Sequence, residues 1–234
     1  MAAENVFELI IFDYDGTLSD TRLAIAHCLE RALMSHSRSL PGERLMPAVN
    51  SGLPLRDTLL LLDPALHDDR GVLEEIVTTY RAVYRDEGEP LIQVFPGARE
   101  ALKELHASGI ECVVVSNKGF DAVVRSLDRH GMTPFLTRVF AERPGFPVKP
   151  DPELLNDHIL QRALPVPRER TLMVGDTEID IAFAKRAGIA SCWAAYGFGD
   201  RESCLALSPT HVIEAIGELP ALVHLTAGLG AAHG

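Results

Sequence analysis

Lysine is scarce in this chain: only Lys103, Lys118, Lys149 and Lys185 stand among 22 basic residues. Cysteine is scarce too, and Cys28, Cys112, Cys192 and Cys204 form no Cys-x-x-Cys pair and have no clustered histidine partner. That excludes a disulfide frame and a zinc ribbon, and free thiols in a reducing compartment are expected. The nine histidines show no metal-ligand spacing. Long apolar runs are missing. The N-terminal apolar segment, Leu9 to Phe12, is only strand-length, so neither a signal peptide nor a membrane span is expected. The expected address is cytoplasmic. Repeats are absent, and the one biased stretch is the Gly/Ala-rich tail from Ala227 to Gly234, expected to fray. A basic surface is missing as well, because the formal net charge is −11, which argues against nucleic acid as a partner. A small anionic ligand is still allowed, since salt screens exposed charges beyond about 8 Å. Local cations would have to hold it, and that makes each lysine informative.

What is present suits one sizeable domain, or a core with a smaller insert: 234 residues, 47% hydrophobic and 24% charged. Short apolar runs at Glu8–Phe12, Ile110–Val115, Thr171–Gly175 and Ala190–Ala194 read as buried parallel strands. Between them lie segments with helical spacing. Ala98, Ala101, Leu102 and Leu105 make one stripe, closed by Gly109, and Phe120, Val123, Val124 and Leu127 make another, closed by Gly131. Thr177–Ala187 ends in Lys185 and Arg186 with Gly188 beyond, as a helix C-terminus should. This alternation predicts an α/β fold with a doubly wound parallel sheet. Residues 17–93 break the rhythm. They show no convincing strand but carry the stripes Ile25/Cys28/Leu29/Ala32 and Leu73/Ile76/Val77/Tyr80/Tyr84. An inserted all-helical cap over 17–93 is expected, on a core formed by 1–16 and 94–234.

Polar clusters sit where the apolar runs stop: Asp13-Tyr14-Asp15-Gly16-Thr17, Ser116-Asn117-Lys118, and Asp176-Thr177-Glu178-Ile179-Asp180. Lys149-Pro150-Asp151-Pro152 precedes a further helical segment. In an open parallel sheet the crevice at the carboxyl ends of the strands binds ligands, and all four clusters can converge there. Together they form an inventory for cleaving phosphate esters. A carboxylate can attack phosphorus, and a second carboxyl can donate and then accept a proton. Magnesium favours hard oxygen ligands, which Asp13, the carbonyl of Asp15 and Asp176 would supply. Ser116, with Asn117, and Lys149 offer hydroxyl, amide and point charge for phosphate oxygens.

The chain resembles the haloacid dehalogenase-like hydrolases, specifically the phosphoglycolate phosphatase-like branch with a helical cap. FDYDGTLSD, VVVSNK, FPVKPDPELL and LMVGDTEIDIAFAKRAGI resemble its four motifs in order, and VFPGAREALKELHASGI resembles its return segment. The resemblance implies a Rossmann-like core and Mg2+ as cofactor. It implies Asp13 as nucleophile, Asp15 as acid/base, and hydrolysis of a small organic phosphate ester such as phosphoglycolate or a sugar phosphate. Lys149 joins the catalytic set. Gly16, Thr17, Gly175 and Asp180 support these loops.

Plainer roles compete for several of these residues. Ser116 could cap the following helix. Asp180 could close a capping box with Thr177 or pair with Lys149, and Lys118 reads as a solvated helix start. Asp151 reads as an N-terminal helix charge. Arg56, after Ser51-Gly52-Leu53-Pro54-Leu55, could pair with a substrate carboxylate or second phosphate, or merely start a helix. Tyr14 stands where relatives carry an aliphatic residue. Among rival activities, phosphonate cleavage lacks its cap lysine, since no lysine precedes Lys103, and dehalogenases lack the second aspartate. A β-phosphoglucomutase-like transferase would want a cap-hinge histidine, and His27 lies two positions from its place. A phospho-accepting signalling domain shares the acidic pair but is shorter and has no cap.

Overall fold

The computed structural model describes residues 6–38, 42–160 and 164–223. From β1 (Leu9–Phe12) the chain passes through the two-residue strand β2 (Ser19–Asp20) into helices α1 (Arg22–Ser35), α2 (Gly42–Val49), α3 (Leu55–Leu62) and α4 (Arg70–Val83). It returns through β3 (Gln93–Val94) to α5 (Ala98–Ala107), β4 (Glu111–Gly119), α6 (Phe120–Arg129) and β5 (Arg138–Glu142). After β6 (Thr171–Gly175) come α7 (Glu178–Ala187), β7 (Ala190–Ala194), α8 (Arg201–Ala206) and β8 (His211–Ile213).

Six strands form one sheet in the order β5-β4-β1-β6-β7-β8, and every pairing in it is parallel. Successive side chains of a strand face opposite sides, and the central strands are apolar on both. Ile10, Phe12, Val114 and Val174 pack with Leu102, Leu105, Val123 and Leu127 of α5 and α6. Leu9, Ile11, Val113 and Met173 pack on the other side with Leu155, Ile159 and Phe183. This is the expected doubly wound α/β sheet. Helix ends follow local chemistry: Thr177 and Asp180 form a capping box at the start of α7, and Gly188 closes it in the left-handed region at φ 67°.

The structure adds two strands that the apolar runs do not announce. β5 and β8 are the edges of the sheet, partly exposed, with burial too mixed to read as continuous apolar runs. A third addition lies within 17–93, where no strand was expected: β2 pairs antiparallel with β3, Ser19 opposite Val94 and Asp20 opposite Gln93. This small ribbon carries the chain out of the sheet and back. Helices α1 to α4 bury a core of their own, with Cys28, Leu29, Leu59, Ile76 and Val77 fully or almost fully covered. All four cysteines are free and buried. Among the described residues no helix is long and apolar enough to cross a membrane. The Ala227–Gly234 tail lies outside the described residues.

Two substitutions in the insert should separate core from surface. Ile76→Ala, at a fully buried position of α4, should cost about 2–5 kcal/mol in urea denaturation. Leu61→Ala, at a half-exposed position, should stay within about 0.5 kcal/mol.

Candidate active site

The carboxyl ends of β1, β4 and β6 lie side by side in the sheet, and each carries a chemical group. β1 ends at Asp13, whose amide donates to the carbonyl of Val174 at 2.9 Å. The turn that follows places Asp15 beside it and Gly16 at φ 81°. A side chain at Gly16 would put its Cβ 2.0 Å from Asp176 Oδ2, so only glycine lets the β1 loop pass this close to the β6 loop. Thr17 Oγ1 donates to Asp176 Oδ1 at 3.0 Å, and the Phe198 amide donates to Oδ2 at 2.7 Å. The Trp193 indole holds the Asp176 carbonyl at 2.8 Å. Gly175 lies under Asp180, where a Cβ would meet that residue's Cβ at 2.3 Å.

Lys149 is the centre of the charge network. Its ammonium lies 2.8 Å from Asp13 Oδ1 and 2.6 Å from Asp180 Oδ1, with all three side chains buried. The Tyr14 amide also donates to Asp13 Oδ1, leaving Oδ2 without a hydrogen-bond partner among the described residues. Asp180 takes both parts suggested by the sequence. It pairs with Lys149 through Oδ1 and closes the capping box through Oδ2, which accepts from the amide and hydroxyl of Thr177. Burial pushes the Asp13 carboxyl up to about 7 against the pull of Lys149, with Asp180 and Asp15 adding to the rise. Burial, then the charges of Asp180 and Asp13, raises Asp176 well above the usual carboxylate range. For Lys149 burial works downward, but Asp13 and Asp180 outweigh it and hold the ammonium protonated.

Several placements differ from the sequence reading. Strand β4 runs on to Gly119, so Ser116 does not cap α6, and its Oγ accepts from the Lys118 amide at 3.2 Å. Lys118 is not a solvated helix start. Its ammonium lies 3.0 Å from Asp15 Oδ1 and 4.2 Å above the Tyr84 ring of the insert. The Asn117 carboxamide is committed to the backbone: Oδ1 accepts from the Lys149 amide, and Nδ2 donates to the carbonyls of Lys149 and Gly52. Its side chain therefore positions Lys149 and docks the 51–53 turn of the insert. Arg56 is not brought to the phosphate end. Its guanidinium grips Glu74 bidentately through Nε and Nη2, each at 2.7 Å, and Nη1 reaches Glu142 at 3.5 Å. His27 pairs with Glu87 at 2.7 Å, away from the site. Asp151 accepts from the Glu153 amide, as a helix-start charge does.

Three features escaped the sequence. Thr21 Oγ1 donates to Asp15 Oδ1 at 2.6 Å, a contact with no spacing signal. The fully buried Tyr14 reaches Ser126 with its hydroxyl, tying the loop after β1 to α6. Its substitution for an aliphatic residue was the available clue. The site opens into a cavity of about 710 Å3 between sheet and insert, lined by Asp13, Asp15, Ser116 and Asn117 on one side and Leu53, Tyr80 and Tyr84 on the other.

The profile of the haloacid dehalogenase-like hydrolases matches residues 10–194. The chain belongs to that family. It is 29% identical over 229 residues to a phosphoglycolate phosphatase of Vibrio parahaemolyticus, covering 94% of this chain and 97% of the relative. It is likewise 29% identical to the pyrophosphatase PpaX of Halalkalibacterium halodurans, over 93% of this chain and 97% of the relative. A HAD-hydrolase from Bacillus subtilis, solved with bound magnesium, has the same fold, with a TM-score of 0.71, 23% identity, and 93% and 98% of the two chains covered.

The site of this haloacid dehalogenase-like hydrolase fits a divalent cation. Asp13, Asp176 and Asp180 place carboxylate oxygens within 4.8 Å of one another, all buried. With all three ionised, as metal ligands must be, the carboxylates and one ammonium carry −3 + 1 = −2, which a divalent ion balances. The donors are hard oxygens, as magnesium prefers. Lys149→Met should therefore leave the carboxylates uncompensated and lower stability by about 3–5 kcal/mol in chelator. Denaturant titration checks this, and added magnesium should recover part of the loss.

Proposed function

We propose that this chain hydrolyses a small organic phosphate monoester, with Mg2+ as its metal and an aspartyl phosphate on Asp13 as its intermediate. The observation that carries this reading is the pair of carboxyls on the cavity wall. Asp13 is held by Lys149 through one oxygen and offers the other, while Asp15 is steadied by Thr21 and Lys118.

In the first half-reaction Asp13 Oδ2 attacks phosphorus in line, and the bond from phosphorus to the ester oxygen breaks. Asp15 gives its proton to the departing alcohol. In the second, Asp15 takes a proton from water, the water oxygen attacks phosphorus, and phosphate leaves Asp13 free. Ser116 Oγ and Lys149 Nζ hold phosphoryl oxygens, and Asn117 keeps Lys149 in place. Asp13, Asp176 and the Asp15 carbonyl would hold the metal, with Asp180 behind them. Magnesium, when bound, neutralises phosphoryl oxygens as a Lewis acid.

Residues 17–93 act as a cap whose closure over the cavity excludes water. Phosphoglycolate, sugar phosphates and pyrophosphate are the substrates to test. Mutase chemistry is not favoured, because His27 is engaged by Glu87. A phospho-accepting receiver has no use for a roofed cavity of this size.

Phosphate release from that panel, with magnesium and with chelator, tests the reading. Turnover should require the metal. Magnesium at about 100 times its dissociation constant should add roughly 2.7 kcal/mol of stability. Asp13→Asn should lower turnover about a thousandfold or more while leaving the circular dichroism spectrum unchanged. Substantial turnover in that variant would remove Asp13 as nucleophile.

A further inference from the structure

The cavity is wider than the phosphate end requires. Its volume of about 710 Å3 lies well inside the range of sites that bury a drug-sized ligand, whereas a two-carbon phosphate ester fills only a fraction of it. The cavity is lined in part by the insert, by α6 and by the turn after β5. Four arginines line it: Arg81, Arg85, Arg125 and Arg143. Arg81 is spoken for by Glu142 at 3.0 Å, and Arg85 by Asp86 at 2.8 Å. Arg125 and Arg143 have no carboxylate within 4.0 Å among the described residues. Asp121, one turn before Arg125 on α6, lines the cavity too but forms no ion pair with it.

Arg143 is held in place by aromatic rings. Its guanidinium carbon sits 4.2 Å from the Phe146 ring centroid and 5.3 Å from that of Phe120, close enough for cation–π attraction. The Phe146 amide donates to the Arg143 carbonyl at 3.0 Å, which closes the turn after β5. Phe146 is itself stacked on Phe140 and against His158. With the guanidinium steadied by these rings, its N–H groups remain for a planar or tetrahedral anion, the recognition for which arginine is suited. Arg143 is exposed at the cavity wall with no carboxylate within 4.0 Å among the described residues, so in a chain of net charge −11 its charge is open to a ligand.

Position sets the length of that ligand. In the sheet order, β4 lies between β5 and β1, so the turn that carries Arg143 is two strand spacings, roughly 10 Å, from the Asp13 loop. The walls between include the apolar side chains of Ile25, Val49, Leu53 and Phe120.

Resting on the phosphatase reading, we propose that Arg143, aided by Arg125, forms a second anion subsite. The substrate is then a phosphate monoester bearing a further carboxylate or phosphate, separated from the scissile group by a body of about sugar size. Phosphoglycolate itself is too short to use both ends well.

Steady-state kinetics on three esters test this: a hexose monophosphate, the matching hexose bisphosphate, and a sugar-acid phosphate whose second group is a carboxylate. Wild type should show kcat/KM roughly tenfold or more higher for a doubly anionic ester than for the monophosphate, the size expected of a charge-assisted hydrogen bond. The better of the two names the second group. Arg143→Ala should reduce that preference about tenfold, mainly through KM, and Arg143→Lys should restore part of it. Equal rates on all three esters in wild type, or an equal loss on all three in Arg143→Ala, would overturn the subsite. Turnover of p-nitrophenyl phosphate separates the two failures. If the aryl ester is cleaved and no preference exists, only the subsite falls; if nothing is cleaved, the phosphatase reading falls and takes the subsite with it.

Discussion

A buried lysine between two buried aspartates organises this protein. Lys149 reaches Asp13 at the end of β1 and Asp180 at the start of α7. Its backbone is clamped by Asn117 at the end of β4. One ammonium and its peptide therefore lock three neighbouring loops of the sheet together. Such a charge cannot be taken out of water without partners, so the loops must close on it. The price is an excess of negative charge, because Asp176 stands in the same cluster with no cation of its own. That excess suits the cluster to a divalent ion.

The insert completes what the sheet begins. Beyond Thr17 and Thr21 near its start, it meets this end of the sheet where the Gly52 carbonyl accepts from Asn117 and where the Tyr84 ring lies under Lys118, which holds Asp15. Glu142 at the end of β5 draws Arg56 and Arg81 across from the helices. These contacts bind the two apolar cores through polar groups at the mouth of the cavity. Phosphate chemistry and ligand shape are consequently set by different parts of the chain. The loops of β1, β4 and β6 hold the clustered carboxylates and Lys149, and residues 17–93 with the β5 turn line the rest of the cavity.

The parts proposed to carry the reaction were placed from the sequence because each is local. β1 and β6 are continuous apolar runs ending in acids, and α7 announces itself through Thr177, Asp180 and Gly188. Three of the four motifs stand at strand ends, where a parallel sheet has to gather them, and the one around Lys149 lies in the loop after β5. What stayed hidden depends on tertiary contact. β5 and β8 are edge strands with mixed exposure, and β2 and β3 are two residues each, too short for any period. Lys118 reads as surface until Asp15 and Tyr84 are seen on either side of it. Arg56 looks free until Glu74, eighteen positions on, takes its Nε and Nη2. Arg143 carries no spacing signal, since Phe120 comes from another element and Phe146 means little before the turn closes.

The central claim is that the phosphoryl group passes through Asp13 on its way to water. Turnover of an ester made chiral at phosphorus with oxygen isotopes tests it most directly. Two successive in-line displacements, first by Asp13 and then by water, predict retention of configuration in the released phosphate. Inversion would mean that water attacks the ester in a single step, and it would contradict the account.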